Sequence, residues 1–307
     1  MELAKWRLKR LWMAPFVKTE AGSDFYEWLT AVVLGTQRGL SHKWCSWFQE
    51  HLLLCRDLGG ADIPGSRIWL LQPGWTLSPV FLSRMATGRG PLVTEDRTRL
   101  AARYLPGAIE EAGQVAGELL ASVQADPAGS ALLEGLRRTR SPRQALRACA
   151  AEYRVGGLHE LTALRDESAD LCLSMGRLEH LSEGDLRHLF REMQRILTRH
   201  GVASHIVDHR DHYWHYDKST IHCFHHLTYS DERWERVCGK GKGYRNRLLE
   251  PDYLRLFEEA GFEVVACRHL HSEDAEGIDP TTLWGPYASL SRKDLDAVVS
   301  HFVVRRT

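Results

Sequence analysis

The sequence predicts an α/β fold in which helices cover both faces of a mostly parallel sheet. Two observations lead to this prediction. From about residue 65 onwards, short apolar runs that are typical of buried strands alternate with amphipathic helical stretches. The chain has 307 residues, which is long enough to bury a full α/β core and a smaller accessory region besides.

Residues 1–62 are predicted to form an N-terminal helical cap, and residues 63–307 the α/β domain itself. The stretch "SDFYEWLTAVVLG" starts with a Ser/Asp capping pair and ends at a glycine, and "SHKWCSWFQEHLLLCRDLGG" repeats that pattern. The Trp, Phe and Leu faces of these stretches must be buried against a neighbour. We therefore expect the helices to pack on the α/β domain rather than to form a free tail.

Strands and helices of the α/β domain can be assigned in order along the chain. Apolar runs predict six strands: "SRIWLLQPG", "GPLVTED", "ADLCLSMG", "GVASHIVD", "EVVACRHL" and "DAVVSHFVVRRT". Helices are predicted at "TLSPVFLSRMATG", "EGDLRHLFREMQRILTRHG" and "EPDYLRLFEEAGF". Residues 98–150 are rich in Ala, Leu and Glu and predict a helical insertion.

The amino-acid composition limits the cellular compartments and the classes of partner that are expected. Forty basic residues balance forty acidic ones, so no phosphate-binding surface and no nucleic-acid partner are predicted. The N-terminal stretch lacks the uninterrupted apolar core of a signal peptide, and no run approaches about 18 apolar residues, so no membrane partner is expected. Seven cysteines without CxxC spacing indicate buried thiols in a reducing, cytoplasmic compartment. The oligomeric state stays open, with a homodimer as one alternative.

The segment from Ser168 to His212 carries a family resemblance. The pieces "ADLCLS", "RLEHL", "LFREMQRILTRHG" and "VASHIVD" follow one another there, and "YRNRLLEPDYLRLFEEAGFEVV" comes later. This order resembles the second half of class I S-adenosylmethionine-dependent methyltransferases. The pieces "SHIVDHRDH" and "YRNRL" are most similar to a bacterial subgroup found near polysaccharide or natural-product genes. The resemblance implies a Rossmann-like fold with a seven-stranded sheet, S-adenosylmethionine as cofactor and S-adenosylhomocysteine as product.

The same resemblance places "IWLLQPGWTLSP" on the first strand and its cofactor loop. The subgroup has an "ELGPG" type of loop, and this chain departs from it: Leu70 stands at the acid, Gln72 at the first glycine and Trp75 at the following polar residue. Two interpretations follow. Either the loop binds the cofactor through altered contacts, or its pocket has closed or accepts a different ligand.

The predicted cofactor site lies beyond the carboxyl ends of the strands, where open parallel sheets bind their ligands. An acidic residue that ends the second strand can accept hydrogen bonds from both ribose hydroxyls, and we place Glu95 there in preference to its neighbour Asp96. The full predicted set of cofactor-binding residues is Gln72, Pro73, Gly74, Trp75, Thr76, Glu95, Asp96, Ser174, Met175 and His180.

A histidine-rich loop is predicted to face the reactive end of the cofactor. Seven of the sixteen histidines lie between His205 and His226. An imidazole titrates near neutrality and can remove a proton from a hydroxyl or amine nucleophile, so His212 or His205 is the candidate base. The predicted catalytic residues are His205, Asp208, Asp211, His212 and Tyr244, with either aspartate orienting the base. The alternative is that these side chains only hold the loop through hydrogen bonds to its backbone.

Substrate contacts are predicted from Glu179 and His209, and from Asn246 and Arg247 after a Gly/Lys-rich hinge that could close over the substrate. The alternative for Arg247 is a simple ion pair with an acid.

A metal site is an alternative interpretation of the same region. It would take its ligands from Asp208, His209, Asp211, His212 and His215. No metal is predicted, because residues one apart seldom converge and no HExxH-type spacing is present.

The function predicted from the sequence is methyl transfer from S-adenosylmethionine to a natural-product-like or sugar-like small molecule. Because this fold also hosts other chemistry, three alternatives stay open. They are an enzyme repurposed for cyclisation, elimination or another tailoring reaction, a metal-dependent enzyme, and a non-catalytic binding subunit.

Overall fold

Seven strands form one sheet at the centre of the protein, in a computed structural model that describes residues 5–16, 19–35, 40–125, 129–238 and 244–307. The strands are β1 (Ile68–Leu71), β2 (Leu92–Glu95), β3 (Glu152–Val155), β4 (Ala169–Met175), β5 (Leu197–Asp208), β6 (Phe262–Leu270) and β7 (Val299–Arg306). Their order across the sheet is β3-β2-β1-β4-β5-β7-β6. All pairs are parallel except those that β7 makes with β5 and β6. The predicted seven-stranded, mostly parallel sheet is confirmed.

The strand order reverses between β1 and β4, which is the point that positions a ligand. From β1 the chain moves outwards to β2 and β3, and it then returns to place β4 on the other side of β1. A crevice opens at such a reversal, beyond the carboxyl ends of the strands. The loops that follow β1, β2, β3 and β4 therefore meet around one space.

Helices cover both faces of the sheet. The described helices are α1 (Lys5–Met13), α2 (Glu20–Trp28), α3 (Leu40–Asp57), α4 (Ser78–Thr87), α5 (Leu105–Ser122), α6 (Gly129–Arg137), α7 (Pro142–Ala148), α8 (Glu183–Ile196), α9 (Asp231–Cys238), α10 (Glu250–Glu259) and α11 (Glu273–Glu276). Successive strand side chains point to opposite faces. Accordingly, Leu70 packs in a core with α3, α4 and α5, whereas Trp69 packs in a second core with α8 and α10. Within the described ranges, no helix is both long enough and apolar enough to cross a membrane.

The helices before β1 pack on the α/β domain. In α3, Trp44, Phe48 and Leu52 are buried in the same core as Leu70. His51 of α3 also hydrogen-bonds through Nδ1 to the Ser204 hydroxyl of β5, at 2.7 Å. A five-residue π-helix, Leu29–Val33, continues α2 directly. The boundary predicted at residue 62 remains a prediction.

The structure differs from the sequence assignment at two places. Residues 98–150, predicted as an insertion, contain α5, α6 and α7 and form the crossover from β2 to the unpredicted strand β3. Helix α8 ends at Ile196 and not at the glycine stop, because Leu197 is already extended and begins β5. Gly201 instead lies within β5, where a Cβ atom would approach Leu197 Cβ to 2.8 Å.

Candidate functional site

Two adjoining cavities lie at the carboxyl ends of the strands. The first cavity has a volume of about 1180 Å³ and the second about 770 Å³. Met175, Gly176 and His212 line both of them. The two cavities therefore meet directly after β4, and His212 reaches this junction from the loop after β5.

The loop after β1 forms one wall of the first cavity. Gln72 and Gly74 have left-handed backbone conformations, with φ of 51° and 83°, which a glycine adopts freely and a glutamine does not. Pro73 O accepts a hydrogen bond from Trp44 Nε1 at 3.1 Å, and Trp75 donates through Nε1 to Glu27 of α2 at 2.7 Å. These bonds hold the four residues from Gln72 to Trp75 in one conformation that lines the cavity.

Thr76 does not line either cavity among the described residues, although it was predicted to bind cofactor. Its hydroxyl accepts a hydrogen bond from the Ser78 amide at 3.2 Å, at the start of α4. Thr76 therefore shapes the turn between the loop and the helix.

Glu95 and Asp96 occupy different positions, and of the two only Asp96 lines the first cavity. Glu95 is fully buried beneath the β1 loop, where it accepts the Gly74 amide at 2.7 Å and pairs with Arg99. Burial raises the pKa of Glu95 to about 7 in spite of Arg99. Asp96 lines the first cavity and pairs with Arg97 and Arg99. Glu95 thus supports the loop, and Asp96 presents the carboxylate.

Sequence reasoning missed several residues of the first cavity. The turn after β3, from Gly156 to His159, forms a further part of its wall, and Arg177 and Glu27 also line it. The Gly-Gly pair after "EYRV" was the available signal for this turn. It was not used because β3 itself was not assigned.

The residues after β4 connect the cavities. Met175 and Gly176 line both, and His180 lines the first. His180 Nδ1 lies 3.0 Å from the Tyr244 carbonyl oxygen, and Tyr244 itself lines the first cavity. Ser174, predicted to bind cofactor, is instead fully buried and hydrogen-bonds to His205 Nδ1 at 2.7 Å.

The second cavity is lined by charged and aromatic side chains. Its charged lining residues are Lys43, Glu179, Asp208, Arg210, Asp211 and Arg245, and its aromatic ones are Trp47, Tyr213, Tyr216 and Trp234. Asp208 pairs with Arg210 at 2.8 Å and with His215 Nε2 at 3.4 Å. Burial alone would raise the pKa of Asp208, but the hydrogen bonds from His215 and Arg210 outweigh it and hold the pKa well below its usual value. Asp208 is therefore a charged, fully paired group.

His212 is neutral at the junction. Burial among neighbouring side chains, and then the positive charge of Arg245, lower its pKa well below its ordinary value. Burial and Arg245 likewise lower the pKa of His180 to about 3. A neutral imidazole has a free nitrogen lone pair, so His212 can accept a proton there.

Four predicted catalytic or substrate residues lie away from both cavities in the described part of the chain. His205 is enclosed in the sheet, where it stacks on Phe257. His209 Nε2 hydrogen-bonds to the Ser300 hydroxyl at 2.9 Å. Asn246 donates to two backbone carbonyls after β4, and Arg247 pairs with Asp231, as its alternative interpretation predicted. These side chains anchor the segment, and the predicted hinge at 239–243 lies outside the described residues.

Metal-ligand side chains do converge at the junction, contrary to the spacing argument made from the sequence. One group is Glu179, His180 and His212, and another is Asp208, His212 and His215, with ligand atoms within 4.8 Å of one another. His209 and Asp211 belong to neither group. Arg245 lies close enough to both His180 and His212 for its charge to lower their pKa values.

Part of the chain is similar to a known protein family. Residues 113–204 match the family model described as "Methyltransferase domain". No curated protein matches the chain. A solved SAM-dependent methyltransferase from Methanosarcina mazei is 13% identical, covers 78% of this chain and 92% of its own, and has a TM-score of 0.43. One from Mesorhizobium loti is 15% identical, with 84% and 100% covered and a TM-score of 0.41.

The [4+2]-cyclase SpnF is also similar, at 15% identity, with 84% of this chain and 79% of its own covered and a TM-score of 0.43. The family match covers residues 113–204, and the sheet has the strand order of a Rossmann-like α/β fold.

Proposed function

We propose that the protein transfers a methyl group from S-adenosylmethionine to a small molecule, with the cofactor in the first cavity and the acceptor in the second. The observation that carries the proposal is that the two cavities meet at Met175, Gly176 and His212. A donor and an acceptor held on the two sides of this junction would have their reacting atoms next to each other, which is how an enzyme replaces a bimolecular encounter.

The residues of the first cavity fit the cofactor. The Gln72–Trp75 loop and the turn after β3 line this cavity. Among the described residues, and apart from the chain neighbours of Gly74, no atom lies within 4 Å of the position that a Cβ on Gly74 would occupy, so a ligand can approach the backbone there. Asp96 supplies a carboxylate for ribose hydroxyls. Met175 and His180 lie where the methionine part would reach the junction. When bound, S-adenosylmethionine supplies an electrophilic methyl group on a sulfonium centre.

The second cavity supports a small-molecule acceptor. Its volume of about 770 Å³ is within the range of small-molecule sites, roughly 300 to 1,000 Å³. Its charges are of both signs and include no run of cations that would follow a nucleic-acid backbone. A natural-product-like or sugar-like acceptor, as the family resemblance implies, suits such a cavity.

His212 is proposed to take the proton of the attacking group. It lies at the junction, and its lowered pKa keeps the imidazole neutral, so its lone pair is available when the substrate delivers a proton. Glu179 lies in the same cluster, and its carboxylate would stabilise the imidazolium that results. No metal is proposed, since displacement at a sulfonium needs no Lewis acid.

Calorimetry with S-adenosylhomocysteine tests the proposal. The wild-type protein should bind it, and Asp96→Asn should weaken binding by about 1.5 to 3 kcal/mol, the scale for hydrogen bonds to a charged group. Glu183→Gln, which changes an exposed carboxylate at the start of α8, should bind like the wild type.

Absence of binding heat, thermal shift and fluorescence change would contradict the cofactor assignment and favour a binding subunit. Binding without methyl transfer to any acceptor would favour the non-methylating alternative.

A further inference from the structure

The second cavity contains buried polar atoms that lack partners. Glu179 is 3% exposed and Asp211 is 1% exposed, yet Glu179 Oε2 and Asp211 Oδ2 accept no hydrogen bond from the residues that the structure describes. In Arg245, which is also buried, Nε and Nη2 lack acceptors within the same residues. Leaving such groups unpaired is unfavourable, and more so when they are charged. A ligand that satisfies them must bring both hydrogen-bond donors and an acceptor.

The unpartnered carboxylate of Glu179 lies at the junction of the cavities. Its Oε1 atom is 3.4 Å from the position that a Cβ on Gly176 would occupy, and Gly176 lines both cavities. Its carboxylate also lies within 4.8 Å of ligand nitrogens of His180 and His212. A group bound to Glu179 would therefore lie beside both the proposed methyl donor and the proposed base.

Charge in this cavity favours a cationic group. The carboxylate of Asp208 is neutralised by Arg210, which leaves Glu179 and Asp211 to share the single charge of Arg245. Lys43 also lines the cavity but is exposed. Glu179 Oε1 lies 3.8 Å from Arg245 Nη2, and Asp211 forms no ion pair with the residues that the structure describes, so Arg245 does not fully balance their negative charges. Aromatic rings such as those of Trp47 and Trp234 also suit a bound ammonium.

We infer that the acceptor is an amine that also carries a hydroxyl or carbonyl oxygen, bound as an ammonium group by Glu179 and Asp211 with its oxygen facing Arg245. An ammonium nitrogen has several N–H donors and can serve both carboxylates, whereas a hydroxyl has only one donor. The oxygen of the ligand then accepts a hydrogen bond from Arg245. The inference rests on the proposed methyl transfer and names the class of its substrate.

Methyl transfer to the amine requires that its nitrogen first lose a proton. The ammonium group gives one proton to His212, whose neutral imidazole becomes an imidazolium beside Glu179. The freed nitrogen lone pair forms a bond to the sulfonium methyl carbon while the carbon–sulfur bond breaks and its electron pair stays on sulfur. The products are the methylated amine, which is again cationic, and S-adenosylhomocysteine.

Calorimetry with matched probes tests the inference on the full-length protein saturated with S-adenosylhomocysteine. Ethanolamine is compared with ethylene glycol, and glucosamine with glucose. The amine of each pair should bind at least about tenfold more tightly, since a charge-assisted hydrogen bond replaces a neutral one. Asp211→Asn and Glu179→Gln should each reduce this preference about tenfold or more, while Glu183→Gln, on an exposed carboxylate, should preserve it.

Equal binding of the hydroxyl partners, or no binding of either amine, would overturn the inference. So would tight binding of zinc or manganese that His212→Ala abolishes, because the junction would then be a metal site. The comparison of wild-type binding within each pair does not depend on either variant folding. Saturation with S-adenosylhomocysteine is measured first, so its failure identifies a failure of the proposed function instead.

Discussion

The two cavities differ in how their charged side chains are paired. In the first, Glu27, Glu95 and Asp96 all pair with arginines, and Glu27 and Glu95 also hold the β1 loop through hydrogen bonds. In the second, Glu179 approaches Arg245 no nearer than 3.8 Å, and Asp211 forms no ion pair with the residues that the structure describes. Pairing within the protein preorganises a site, whereas missing pairs are left for a ligand to make. Removing an arginine from the ion pairs of the first cavity should therefore act mainly on stability, whereas substitutions at the junction should act mainly on binding and turnover.

Replacing His212 should give the largest effect. His212→Ala removes the proposed proton acceptor at the junction and should lower turnover by about 10² to 10⁴. S-adenosylhomocysteine affinity, measured by calorimetry, should stay close to that of the wild type. Asp211→Asn should reduce turnover less, because Asp211 binds the acceptor and does not take its proton. Equal losses of thermal stability in both variants would instead show that the loop is structural.

Replacing Arg99 should give the largest change in stability. Arg99 pairs with Glu27, Glu95 and Asp96, and the first two are almost completely buried. Arg99→Met leaves those carboxylates without their counter-charge and should lower the free energy of unfolding by about 3–5 kcal/mol in urea titrations.

The matched control is Arg137→Met. Arg137 pairs with Glu134 on helix α6, and the two side chains are 60% and 64% exposed. The expected loss there is about 0–1 kcal/mol, as for surface ion pairs. Similar losses in the two variants would mean that the first cavity is not preorganised by Arg99.

Sequence reasoning succeeded where one residue pattern determines one structure. The run β4–α8–β5 was recognisable because Leu186, Leu189, Phe190 and Met193 recur at helical spacing and are all buried. It failed for β3, because Glu152 and Arg154 lie on an edge strand that is only half-buried and has no apolar pattern. Because β3 is not recognisable, the sequence predicts residues 98–150 as an insertion and not as the crossover to that strand.

Side-chain direction at the site could not be predicted from the sequence. Glu95 and Asp96 are adjacent, and only the folded structure shows that Asp96 lines the cavity whereas Glu95 accepts the Gly74 amide beneath the loop. Likewise, His205 and His212 belong to the same histidine-rich stretch, yet one is enclosed by the sheet and the other lies at the junction. Arg245 gave no sequence signal, because its importance comes from carboxylates that are distant along the chain.

The pH dependence of the free energy of unfolding should isolate the contribution of the Glu179 carboxylate. Burial raises the pKa of Glu179 from 4.5 to about 7 in the folded protein. Such a group adds stability below its unfolded pKa and loses that contribution as the pH rises through its folded pKa. Between about pH 5 and about pH 8, the free energy of unfolding of the wild type should therefore fall more steeply than that of Glu179→Gln. The buried histidines are common to both proteins, so parallel curves would show that Glu179 is not under-compensated.

Replacing Gln72 should give the smallest effect. The sign of the change in affinity shows whether the Gln72 side chain contacts the ligand or only crowds the loop. Gln72 has a left-handed backbone at φ 51° and lines the first cavity, and none of the side-chain hydrogen bonds between described residues involves its amide. Gln72→Gly relieves the backbone strain but makes the unfolded chain more flexible, so the free energy of unfolding should change by less than about 1 kcal/mol. Because the amide is available to a ligand, S-adenosylhomocysteine should bind Gln72→Gly about two- to tenfold more weakly, as for one lost neutral hydrogen bond. Tighter binding would show that the side chain only crowds a loop whose cofactor contacts come from its backbone.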